Sequence, residues 1–255
     1  MDPATLIGIL CGLGIIVLAN VLEGGNPMSL LLMAPMLLVF GTTLMVTVAG
    51  GTLPDAKNAL ASLKKAFAGG VPPAGDLVPT VVALAEKARR EGLLALEDQL
   101  REVEDPFLVK GVTMAIDGTD SEELRDILEA EVHAKKAMAK QSAKFFADAG
   151  AYSPTIGIIG TVMGLVHVLE NLAAPEELGH LIAGAFVATL WGVMSANVIW
   201  LPLGNRLKRL GELEAARMEL TIEGIAAIQS GTNPRIVAQK LRSLLPEHEQ
   251  GEEAA

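Results

Sequence analysis

The chain has no lysine or arginine in residues 1–50 or 151–205. Its 20 basic residues fall in two blocks, 13 between Lys57 and Lys144 and seven from Arg206 onward. Cysteine is almost absent. The single Cys11 sits in an apolar run, so the chain can form no intrachain disulfide and no cysteine-built metal cluster. No Walker loop, dinucleotide fingerprint or cysteine–histidine cluster occurs, and the chain is not expected to be an enzyme. The net charge of −10 excludes the basic footprint that binding to nucleic acid requires.

What is present is apolar. Hydrophobic residues make up 51% of 255, and the mean hydropathy of +0.42 is that of an integral membrane protein. Apolar runs cover about 5–22, 28–50, 153–173 and 181–203, each near the ~20 residues that cross a bilayer as a helix. The first lacks a basic leading segment and is followed at once by the second, so it reads as a retained span rather than a signal peptide. The connections "LEGGNP" and "LENLAAPEELGH" hold acids but no base. The positive-inside rule therefore places both termini in the cytoplasm. Trp200, near the inner end of the fourth run, fits an interfacial anchor.

The expected fold class is all-α: a polytopic membrane protein with four transmembrane helices and a helical cytoplasmic domain. Residues 1–50 hold spans one and two, and 51–150 a cytoplasmic helical domain. Spans three and four occupy 151–205, and 206–255 holds cytoplasmic C-terminal helices and an acidic tail. "GTDSEELRDILEAEVHAKK" opens a long helix that Thr119 or Asp120 can cap, with no breaker before Gly150. Asn233 caps a final helix with Pro234 in its first turn. "GGVPPAGD" is a linker, and "EHEQGEEAA" a disordered acidic end.

Inside the spans, small residues recur four apart: Gly8 and Gly12, Gly160 and Gly164, then Ala188, Gly192 and Ala196. That spacing lets helices approach closely, within one subunit or between subunits. Pro154 and Pro202 each remove a backbone donor, as span boundaries or as bending points. Thr155, Thr161, Thr189 and Ser195 either bond their own helix or line a wet path. No Asp, Glu, Lys or Arg lies in the middle of any span, and His167 is the only deep ionisable candidate. A proton path at membrane depth usually needs a titratable group. If the chain moves ions, a second protein must supply the acid.

The stretches "SPTIGIIGTVMGLVHVLENL", "GHLIAGAFVATLWGVMSANVIWLPLGNRLK" and "ARREGLLALED", with the four-span pattern, resemble the MotA/PomA stator subunits of the bacterial flagellar motor, within the MotA/TolQ/ExbB proton channel family. The resemblance covers nearly the whole chain. It implies a pentamer in the bacterial inner membrane around single-pass MotB/PomB-type helices, which supply an essential aspartate. It implies ion-driven torque on the rotor switch protein FliG. Matched by motif, Pro154 and Pro202 are tied to conformational change. By the same match Thr161 and Thr189 line the ion route, and Arg89 and Glu97 contact the rotor; Thr155 and Ser195 join the ion-pathway candidates as span hydroxyls, and Arg90 joins the rotor candidates as the neighbour of Arg89. Arg89 and Glu97, eight apart, are expected about two turns apart on one helix face. No cofactor is implied beyond the coupling ion, proton or sodium. Different-class alternatives are an ExbB/TolQ-like energy-transducing subunit and a non-conducting membrane scaffold.

Overall fold

A computed structural model describes residues 3–249, and every regular element among them is helical. Helix α1 is Ala4–Leu22. A 3₁₀ turn at Pro27–Leu30 precedes α2, Met33–Ala49. Then come α3 (Leu53–Ala68), α4 (Leu77–Glu91), α5 (Leu96–Leu100) and α6 (Pro106–Ile116). Two long helices follow, α7 (Ser121–Glu170) and α8 (Pro175–Gln229), and α9 is Pro234–Ser243.

Among the described residues, three helices are long and apolar enough to cross a membrane: α1, α7 and α8. The second apolar run is shorter than expected. Asn26 caps the 3₁₀ turn through its side chain, which accepts from Met28 N at 3.0 Å, and this leaves 17 residues to α2, about 26 Å of helix. Neither Pro154 nor Pro202 ends its helix. Pro154 lies inside α7, and Pro202 inside α8. Immediately before Pro202, Ala196–Trp200 forms a π-helical turn, whose extra residue makes room for a ring that cannot donate to the preceding carbonyl.

The chain divides into two compact units. Met1–Gly70 with Ala139–Leu210 forms the first, and Val71–Met138 with Gly211–Ala255 the second. Helix α3 thus groups with the apolar helices. Its Ala59 and Ala66 are buried beside Phe146, Leu203 and Leu207. Trp200 is not an interfacial anchor. It is 92% buried, with its ring 6.5 Å from Phe146 and 6.2 Å from Phe40. It closes the π-helical turn Ala196–Trp200.

The second unit is a leucine-rich core. Leu84, Leu96, Leu108, Leu128, Ile225 and Leu241 are fully enclosed. Side-chain caps fix its helix starts. Asp120 Oδ1 accepts from Glu122 N at 2.9 Å, and Asn233 Oδ1 from Arg235 N at 3.0 Å. Asp105 Oδ1 caps α6 by accepting from Phe107 N and Leu108 N, while its other oxygen takes Arg217 at 3.1 Å. Arg217 in turn donates to the Pro73 carbonyl at 2.8 Å and so clamps the proline linker. The expected disordered end is ordered at its start, where Glu247–Glu249 forms a 3₁₀ turn and Glu249 accepts from Gly75 N at 3.1 Å; residues 250–255 lie outside the described residues.

Candidate ion-route site

Helices α7 and α8 carry the hydroxyls singled out in the sequence, and glycines bring the two together. A Cβ on Gly157 would stand 2.9 Å from the Ala188 carbonyl oxygen and 3.1 Å from the Gly192 Cα. One on Gly192 would stand 2.8 Å from the Ser153 carbonyl oxygen, and one on Gly164 2.6 Å from the Ala185 Cβ. The small-residue motifs of spans three and four therefore pack within the chain, backbone against backbone. In α1, a Cβ on Gly8 would meet no atom within 4 Å and one on Gly12 only the Val198 Cγ1 at 3.4 Å, so that motif makes no backbone-to-backbone approach.

At this seam four oxygens converge. The Thr161 and Thr189 hydroxyls are hydrogen-bonded to each other. Thr161 Oγ1 also reaches Gly157 O at 3.3 Å and Ala185 O at 3.1 Å, and Thr189 Oγ1 reaches Gly157 O at 3.3 Å. Two carbonyls and two hydroxyls, all half-buried or deeper, offer only oxygen. Such a set can pass a proton along hydroxyls, hydrogen-bond a neutral acid, or replace part of the hydration shell of a hard cation.

The other candidates fall elsewhere. Thr155 is exposed, and its hydroxyl donates to the Tyr152 carbonyl at 2.7 Å, so it stands outside this cluster. Ser195 is fully buried and pairs with Ser153, hydroxyl to hydroxyl at 2.7 Å. Pro154 leaves the Gly150 carbonyl without its helical donor next to that pair. His167 and His180 line an apolar cavity of about 390 Å³ with Leu32, Met33, Met163 and Leu181. Three contacts escaped the sequence reading: Ser153, the Gly157 carbonyl, and Trp191, whose Nε1 donates to the Leu30 carbonyl at 2.6 Å. The steps 153–157–161 and 189–192–195 at helical spacing were the available signal.

In the second unit the shared-helix expectation for Arg89 and Glu97 fails. Helix α4 ends at Glu91, and Gly92 adopts φ 86° and ψ 167°, which a side chain would strain. Glu97 lies in the first turn of a separate short helix, α5. All three charged candidates are exposed, Arg90 pairing with Glu86 at 2.9 Å, and Leu94 stands 73% exposed between them. Deeper in, Glu223 accepts from Lys240 at 2.6 Å and Arg125 at 2.8 Å. The Lys240 hydrogen bond, with that of Arg125, holds the Glu223 carboxyl below its ordinary value, against the opposing effect of burial. The same contact raises the Arg125 guanidinium.

Comparison with known proteins identifies the whole. Residues 99–220 match the MotA/TolQ/ExbB proton channel family. Motility protein A of Bacillus subtilis is 36% identical over 247 residues, 96% of this chain and 92% of that protein. Among solved structures, C. jejuni MotAB matches with a TM-score of 0.92 at 31% identity, covering 97% of each chain. The flagellar MotAB stator complex from Bacillus subtilis matches with a TM-score of 0.90 at 35% identity, covering 99% of this chain and 100% of that one. These likenesses favour the motility branch over an ExbB/TolQ-like subunit or a passive scaffold. The chain belongs to the MotA/TolQ/ExbB proton channel family, as a membrane-embedded stator subunit of the flagellar motor.

Proposed function

We propose that this stator subunit conducts ions only together with a single-pass MotB/PomB-type partner. The partner's aspartate stands against the Thr161–Thr189 cluster. One observation carries the reading: the seam gathers hydroxyl and carbonyl oxygens at span depth, while the chain places no carboxylate of its own in the middle of any span. The relatives of known structure are MotAB complexes, which supports the partner.

The aspartate cycles between charged and neutral forms as protons or sodium ions pass. In low dielectric that change alters its interaction with the seam by several kcal/mol, enough to shift a packing equilibrium. Pro154 and Pro202 give the shift something to act on, since each leaves a carbonyl without its helical donor. A pentamer of such subunits in the bacterial inner membrane, with both termini in the cytoplasm, turns the cycle into torque. Arg89, Arg90 and Glu97 deliver it to FliG as an exposed charged surface that steers a complementary one.

The test is motility. A strain lacking its own stator receives this chain and its MotB/PomB-type partner, with external sodium varied and a protonophore added. Rotation that follows one ion gradient supports the reading and names the ion. Thr189→Val, close to isosteric, should cut torque at least tenfold with normal membrane content, and unchanged torque would remove the cluster from the route.

A further inference from the structure

The α7–α8 seam has a third rung. Ser153, Gly157 and Thr161 follow one another at steps of four on α7, and they face Ser195, Gly192 and Thr189 at steps of three on α8. The middle rung is glycine on glycine, with backbone atoms within 3.1 Å of where a Cβ would be. Glycine contacts are smooth. They allow close approach but interlock poorly, so on their own they set the spacing of two helices better than their register. A buried polar pair has the opposite property, because sliding by one residue would strand both groups.

Ser153 and Ser195 form such a pair. Both are 0% exposed, and their hydroxyls lie 2.7 Å apart. Ser195 Oγ also lies 3.4 Å from the Gly192 carbonyl. The proton order follows from counting. Ser153 donates to Ser195, and Ser195 donates onward to Gly192 O, so both protons are used. The pair lies one residue before Pro154, in the turn where α7 lacks a backbone hydrogen bond and is easiest to bend.

We propose that Ser153 and Ser195 are positioning residues: a hydroxyl pin beside Pro154 that fixes the register of α7 against α8, and through it the facing of Thr161 and Thr189. The pin does not touch the ion. It acts through the threonine cluster, and so gives Ser195 a supporting part rather than a place on the route itself. The proposal rests on the ion-route reading above.

The experiment measures motor speed against coupling-ion concentration in cells carrying the full stator pair, with stator content of the membrane counted in parallel. Ser195→Ala strands the Ser153 proton, and it should raise the half-maximal ion concentration roughly three- to tenfold. Ser153→Ala should raise it less, because Ser195 keeps its bond to Gly192. The double variant Ser153→Ala/Ser195→Ala strands nothing, so membrane content should match the parent while the midpoint stays displaced. A purely structural role would move content and leave the midpoint in place. A native midpoint in the double variant overturns the pin. If the unsubstituted pair drives no rotation, the ion-route reading fails instead. The pin is then read from thermal unfolding of the purified complex, where the two single changes should be non-additive and additive losses overturn it.

Discussion

The two units of this chain are held by opposite chemistry. In the first, the closest contacts between α7 and α8 come from the smallest side chains, with hydroxyls filling the gaps between glycines. In the second, large leucines and isoleucines fill the core, and ion pairs such as Arg217–Asp105 and Lys240–Glu223 close its edges. We read the difference as one of solvent, lipid around the first unit and water around the second. Lipid gives apolar side chains no reason to leave it for one another, so close backbone approach and hydrogen bonds must do the joining. Water rewards burial of each leucine, so the second unit packs by bulk. The seam should therefore fail when something is added, and the leucine core when something is taken away.

The largest effect is expected at the glycine rung. Gly157→Val or Gly192→Val puts atoms onto the facing backbone, which cannot yield as a flexible side chain can. Rotation should be abolished and assembly in the membrane lost, as read by motility and by membrane content. Next comes Leu128→Ala in the second unit. It opens a cavity at a fully buried site and should cost about 2–5 kcal/mol, read by denaturant unfolding of the detergent-purified chain. Arg217→Met should follow at about 1–3 kcal/mol, because it leaves the partly buried Asp105 without its cation and frees the Pro73 carbonyl.

A smaller effect separates the units by pH. Glu223 has a folded pKa lowered from 4.5 by its bonds to Lys240 and Arg125. Its contribution is present above the unfolded value and is lost as pH falls through the lower folded one. Unfolding midpoints measured between about pH 5 and pH 3 should drop, and Glu223→Gln should flatten part of that drop. The smallest effect belongs to Cys11→Ala. Cys11 is exposed on α1, and the change should leave motility as it was.

Much of the second unit's local structure was legible because its signals are local. Asp120 and Asn233 cap the helices their spacing marked, and Pro234 follows in a first turn. The break after Glu91 was there to be read in Gly92, a residue that ends helices, but the eight-residue spacing of Arg89 and Glu97 matches two turns of one helix and hid it. Trp200 was misread for a related reason. Its place near the end of an apolar run suited an anchor, and its burial depends on Phe40 and Phe146 of other helices, which no local pattern announces. The candidate site was half legible. Thr161 and Thr189 stood out as hydroxyls in apolar runs. Ser153 did not, since its part depends on which residue of another helix it meets. Pairing across a seam is tertiary information, and only the antiparallel match of two step patterns hints at it.

The central claim is that this chain supplies oxygens and a second protein supplies the acid. Ion flux into vesicles tests it most directly, with the purified chain alone in one set and the chain with its MotB/PomB-type partner in the other. Flux is expected only where the partner is present. Sustained proton or sodium flux through vesicles holding the chain alone would contradict the account.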